Sequence, residues 1–158
     1  MFLDDDFFMK QALREAQKAY EEDEVPVGAI IVHNQRIIAR AHNQVERLGD
    51  PTAHAEILAI TQAANFLDSK FLDNCTIYVT IEPCCMCAGA LVLARIGKIV
   101  FGASDPKTGA FGSKVDINAL GLNHRIEVVR GVLEKACSQI ISQFFKNKRR
   151  SLIPFSYN

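Results

Sequence analysis

Apolar residues recur along this chain with two different periods, and each change of period marks the border of an element. Phe8, Ala12, Ala16, Ala19 and Tyr20 share one face of a helix that Asp4–Asp6 can cap and that runs to about Glu22. Val27–Val32 and Arg36–Ala41 are β-prone runs joined by His33-Asn34-Gln35, the pattern of a hairpin. Pro51–Leu67 returns to helical spacing through Ala55, Leu58, Ala59 and Ala63. Thr76–Ile81 is a near-continuous apolar run of strand length, which places it centrally in a sheet. Pro83 suits the first turn of a helix reaching about Arg95, and Lys98–Ala103 reads as a second buried strand. A loop is expected from Ser104 to about Asn123, then a short strand over Arg125–Val129. Leu133, Ala136, Cys137, Ile140, Ile141, Phe144 and Phe145 form the apolar stripe of a last helix. Five strands alternating with helices predict an α/β fold with helices on both faces of one sheet, and the hairpin makes that sheet mixed.

Composition narrows the class. The 158 residues fit one domain spanning 1–158, and 49% apolar with 23% charged residues is the balance of a globular protein. No apolar run approaches the ~20 residues needed to cross a bilayer, so no membrane association is expected. The start, Met1-Phe2-Leu3-Asp4-Asp5-Asp6, lacks the basic and apolar regions of a signal peptide, and a cytoplasmic location is expected. Formal net charge is zero, but acids gather at Asp4–Asp6 and Glu21–Glu24 while Lys146, Lys148, Arg149 and Arg150 form a basic end. That end fits either an anionic partner or a solvated helix terminus whose cations complement the helix dipole.

Three of the five cysteines fall within four residues, a crowding that points to metal or redox chemistry rather than a disulfide framework. In Pro83-Cys84-Cys85-Met86-Cys87 the cysteines at i and i+3 share a helix face, so Cys84 and Cys87 can grip one ion while Cys85 points elsewhere. A redox C-x-x-C, a four-ligand structural zinc site and simple core packing are the rival readings. Thr52-Ala53-His54-Ala55-Glu56 favours hydrolysis over these: His54 supplies a third ligand and Glu56 stands beside the metal without binding it. Two thiolates and an imidazole leave Zn²⁺ an open fourth position for water, whose pKa then falls to about 7. A structural site would close that position, with Cys75 or His42 as candidates.

H-x-E followed by P-C-x-x-C is the signature of zinc nucleobase deaminases. Glu24-Val25-Pro26-Val27-Gly28-Ala29, Asn43, Glu82 through Ala90, Arg95-Ile96-Gly97, Asp105-Pro106-Lys107-Thr108-Gly109-Ala110, Asn123-His124-Arg125 and Phe144-Phe145 stand in order around it. Over nearly its whole length the chain thereby resembles the bacterial tRNA-specific adenosine deaminases. The resemblance implies a three-layer α/β/α cytidine-deaminase-like fold with a central mixed five-stranded sheet, and a homodimer. It also implies one Zn²⁺ per chain on His54, Cys84 and Cys87, with Glu56 as proton carrier. The implied reaction is adenosine to inosine at the wobble position of a tRNA anticodon stem-loop. By the same match Asn43 and Val25 belong to the base pocket and Lys107 to the substrate loop. Asp105 in that loop reads as an acceptor for a ribose 2′-hydroxyl, or as the start of a turn with Pro106. Phe145, Lys148 and Arg149 read as RNA contacts, with Phe144 in the core. The chain departs from the family pattern at Cys85, read as core packing, and at Phe111, read as reshaping the substrate loop. Deamination of free cytosine or guanine is the alternative within the same chemistry. A redox or zinc-structured RNA-binding module, which would release no ammonia, is the alternative outside it.

Overall fold

In the computed structural model, which describes residues 2–151, a five-stranded sheet separates two helical layers. The first helix, α1, runs Asp5–Glu21, with Asp4 as its N-cap accepting from the Phe7 N–H. β1 (Gly28–His33) and β2 (Arg36–His42) form the expected antiparallel hairpin. A short helix α2 (Val45–Leu48) and then α3 (Ala55–Leu67) lead to β3 (Cys75–Ile81). α4 (Cys85–Leu93), β4 (Lys98–Ala103), β5 (Glu127–Arg130) and α5 (Glu134–Ser151) complete the order. The strands lie β2-β1-β3-β4-β5, with β1 antiparallel to both neighbours and β3, β4 and β5 mutually parallel.

Strand periodicity sorts the side chains between the two layers. Ile30, Val32, Tyr78 and Val100 pack with Phe8, Met9 and Ala12 of α1 and Cys137 of α5. Their neighbours Ala29, Ile31, Ile77, Val79, Ile99 and Phe101 face the opposite layer, with Ala55, Ala59 and Ala63 of α3 and Ala88, Leu91 and Val92 of α4. Gly28 lets α1 sit close on the sheet: a Cβ there would lie 2.0 Å from the Ala12 carbonyl oxygen.

Three boundaries and one loop differ from the sequence expectation, and at the boundaries groups outside the element claim the backbone. α3 begins at Ala55 rather than Pro51. Asp50 Oδ1 takes the Thr52 N–H and hydroxyl into a turn, and Asn43 Oδ1 accepts from Ala55 N at 2.9 Å. Pro83 lies before α4 rather than within its first turn, with its carbonyl accepting from Ala110 N and Cys84 as the N-cap. β5 starts at Glu127 rather than Arg125, because the Asn118 side chain holds both the N–H and the carbonyl of Ile126. The expected loop contains a 3₁₀ turn at Ile117–Leu120, which buries Ile117. Cys85 is exposed rather than packed in the core, whereas Phe111 is buried within it. Among the described residues no helix is long and apolar enough to cross a membrane.

Candidate active site

Two helix starts converge at one end of the sheet. His54 is the N-cap of α3, Cys84 is the N-cap of α4, and Cys87 lies in the first turn of α4. The positive ends of both helices therefore face the same point, where they favour thiolate and carboxylate. His54 Nδ1 stands 3.7 Å from Cys84 Sγ and 3.5 Å from Cys87 Sγ, and the three ligand atoms lie within 4.8 Å of one another. A tetrahedral zinc with Zn–S of about 2.3 Å and Zn–N of about 2.1 Å sets its ligands about 3.6 Å apart. Both imidazole–sulfur distances match that spacing, and a neutral imidazole with two sulfurs is a donor set that zinc takes.

Electrostatics at the triangle are those of closely held ligands. Hydrogen bonds with Cys87 and with the His54 imidazole pull the Cys84 thiol down to about 4. Its thiolate in turn raises His54, and together with burial it pushes Cys87 upward. Glu56, in the first turn of α3, is buried beside Cys87 and His54, and burial raises its carboxyl above the usual carboxylate range. A carboxyl so placed, beside the ligand triangle, can carry a proton between water and a bound base.

These groups open into a cleft of about 1100 Å³. Its lining includes Val25, Asn43, Asp105, Lys107, Phe145 and Lys148, so the structure gathers six of the seven expected substrate residues around His54, Glu56 and Cys84. Arg149 is exposed on α5 and does not line the cleft. Phe144 is buried, and Lys148 Nζ reaches Asp23 at 3.0 Å while lying over the Phe144 ring. Asp105 closes a turn: Oδ1 accepts from the N–H groups of Lys107 and Thr108, and Oδ2 from the Thr108 hydroxyl.

Two cleft residues escaped sequence reasoning. Glu24 is buried, and its carboxylate accepts from the N–H groups of Glu46 and Arg47, capping α2 from 22 residues away. Glu82 is buried and accepts from the N–H groups of Asp105, Phe111 and Ser113 and from the Ser113 hydroxyl. Both stand inside the motifs that carry the resemblance. For Glu82 the available signal was a lone acid between Ile81 and Pro83 at the end of an apolar strand, whereas Glu24 is the last of the acidic run Glu21–Glu24.

Comparison with known proteins bears on this geometry directly. A family model described as MafB19-like deaminase matches residues 3–149. A tRNA-specific adenosine deaminase of Aquifex aeolicus (strain VF5) is 52% identical over 149 residues, covering 94% of this chain and 98% of its own. Its counterpart in Bacillus subtilis (strain 168) is 49% identical, covering 92% of this chain and 91% of its own. A solved structure from a study of A-to-I editing by tRNA:A34 deaminases superposes with a TM-score of 0.78 at 42% identity, covering 84% of this chain and 97% of the other.

Proposed function

This chain belongs to the MafB19-like deaminase family, and from that premise we propose that it hydrolyses adenosine to inosine at position 34 of tRNA. One observation carries the reading: an open His54–Cys84–Cys87 triangle with the buried Glu56 beside it, on the floor of a cleft that also admits bulk ligand. The 41–52% identity to tRNA-specific adenosine deaminases over nine-tenths of the chain or more supports the substrate.

His54, Cys84 and Cys87 would hold one Zn²⁺, which supplies the Lewis acidity that makes water nucleophilic at neutral pH. Glu56 takes a proton from the attacking water and delivers it to N1 of adenine. The new C–O bond forms at C6, Glu56 carries the remaining hydroxyl proton to the exocyclic amine, the C6–N bond breaks, and ammonia leaves. Water therefore supplies the oxygen of inosine, the proton kept on N1 and the one proton that turns the departing NH₂ into ammonia, with no redox change. Glu56 suits the task because it is buried beside the ligand triangle at the floor of the cleft, with burial favouring the protonated carboxyl.

Attack at C6 requires a base out of its stack, which an anticodon loop supplies at lower cost than a duplex. Val25 and Asn43 form the base pocket, and Lys107, Phe145, Lys148 and Arg149 serve the RNA backbone and flanking bases. The enzyme works as a cytoplasmic homodimer, the state implied by the family likeness. Incubating the purified protein separately with adenosine-34 tRNA, cytosine and guanine, and measuring ammonia, tests the reading. Release from the tRNA alone is expected. Release from cytosine or guanine alone would transfer the site to free bases, and no release at all would return the cysteines to a structural or redox role.

A further inference from the structure

Glu82 follows the last residue of β3, two residues before a metal ligand, and the hydrogen bonds of its carboxylate all run to a loop. It is 2% exposed, and no lysine or arginine pairs with it among the described residues. Its charge is answered by four donors. Oε1 accepts from Asp105 N at 3.1 Å and from the Ser113 hydroxyl in a short bond, and Oε2 accepts from Phe111 N at 2.9 Å and Ser113 N at 3.2 Å. A buried charge without such partners would be strongly unfavourable, so the loop and the carboxylate fix each other.

We infer that Glu82 is a positioning residue that pins the 105–113 loop at the mouth of the cleft and so sets how tightly the RNA is held. The inference rests on the tRNA deaminase reading for its substrate. The geometry carries the rest. Asp105, Pro106, Lys107 and Thr108 form one wall of the cleft opposite Val25 and Asn43, and Asp105 is bonded to Glu82 through its own N–H. Gly109 is shaped to the pin: a Cβ there would stand 2.4 Å from Glu82 Cδ and 2.6 Å from the Asp105 carbonyl oxygen.

Beyond the pin, the loop is anchored independently. Phe111 and Ile117 are buried in the core, and Arg130 donates to the Phe111 carbonyl. Residues 105–110 lack such apolar anchors apart from Ala110, whose N–H also bonds the Pro83 carbonyl. Losing the pin therefore loosens the cleft wall while the sheet, α4 and the metal ligands stay in place. A carboxylate is required because an amide offers one oxygen where two are used and turns an NH₂ toward N–H donors. Aspartate falls one methylene short.

Glu82→Gln in the full chain tests the pin. Expected are an unchanged zinc content, a KM for adenosine-34 anticodon stem-loop raised about tenfold, and a kcat within about threefold of the parent. Amide hydrogen exchange should quicken at Asp105, Phe111 and Ser113 and stay slow in β3 and β4, a readout that needs no substrate. Ser113→Ala, which removes only the hydroxyl donor, should show the same pattern more weakly and serves if Glu82→Gln does not fold. An unchanged KM with unchanged exchange would overturn the pin while leaving the deaminase reading intact. Loss of zinc with a fall in kcat would also overturn it, by making Glu82 a support of the metal ligands. If the parent protein itself releases no ammonia from the tRNA, the substrate reading fails, and unaltered exchange alone would then refute the pin.

Discussion

Glu56, in the first turn of α3, and Glu82, at the end of β3, line the same cleft and are buried alike, with 3% and 2% of their surfaces exposed. Their carboxyl groups are driven in opposite directions. Burial raises Glu56, and the hydrogen bonds and charges around it, from its own backbone, Cys87 and His54, offset that only in part. Burial presses Glu82 upward too, but hydrogen bonds from the Ser113 side chain and from the backbone of Phe111, Asp105 and Ser113 outweigh it and hold the group below the usual carboxylate range. The lesson concerns donors as well as depth. A carboxyl whose burial outweighs the donors around it is suited to carrying a proton, whereas one whose oxygens are filled by N–H donors becomes a strut.

The largest expected effect follows from that difference. Glu56→Gln should lower deamination by roughly 10²–10⁴-fold or more while the protein keeps about one zinc per chain. Cys87→Ala should lose metal and activity together. Metal analysis is decisive: zinc lost from the Glu56 variant would make that residue a ligand and collapse the contrast with Glu82. Prolonged chelation of the parent should abolish activity, and added Zn²⁺ should restore it.

The two carboxylates also differ in how far the sequence revealed them. The place of Glu56 beside the His54–Cys84–Cys87 cluster was legible because the pattern is local: His54 lies two residues away, and the C-x-x-C spacing marks both cysteines at a helix start. Strand alternation and helical spacing likewise exposed the sheet and all four long helices. Glu82 and Glu24 stayed silent because their partners lie 23 to 31 and 22 to 23 residues away, and those partners are mostly backbone N–H groups that any residue supplies. The same reason hid α2, whose cap is Glu24, and misplaced the start of β5, whose backbone is claimed by Asn118. Helix boundaries at Ala55 and Cys85 were blurred because Asn43 and Ala110 settle them from outside.

If the acids of the cleft serve as proton carrier and struts, attraction for phosphate must come from the bases at its rim. Removing residues 146–158 should weaken tRNA deamination about tenfold at moderate salt and leave zinc content unchanged. The parent should lose affinity steeply as salt rises, and the truncated protein less steeply, because fewer counterions are released. The Lys148–Asp23 pair is exposed, so its loss should cost about 1 kcal/mol of stability or less. Equal salt slopes for the two proteins would assign the basic end to helix solvation.

Glu24→Gln probes a strut on the opposite wall. One of the two N–H groups at the start of α2 would face an amide NH₂ instead of an oxygen, at a cost of about 1–3 kcal/mol. Denaturant titration should show that loss, with a rise of only a few fold in KM, because α2 borders the cleft without touching the metal triangle. A fall in kcat comparable with that of Glu56→Gln would mean that Glu24 handles protons as well.

Asp105 gives the smallest effect and the finest division, because it has features of both kinds of carboxylate. Oδ1 is filled by the Lys107 and Thr108 N–H groups, as in a strut, while Oδ2 accepts only the Thr108 hydroxyl among the described residues and keeps a second lone pair on a residue that lines the cleft. We propose that this lone pair accepts a ribose 2′-hydroxyl, the one donor that separates RNA from DNA at a given site. A carboxylate near phosphates is otherwise unfavourable, so Asp105→Asn removes a repulsion and a ribose-specific acceptor together. On matched adenosine-containing hairpins, deamination of RNA should fall a few fold, while that of DNA should fall less or rise. Thr108→Val is the companion variant: it loosens the turn without touching the free lone pair, so both hairpins should respond to it alike. Equal proportional losses from Asp105→Asn on RNA and DNA would leave Asp105 a turn former alone, grouped with Glu82 and Glu24 among the struts.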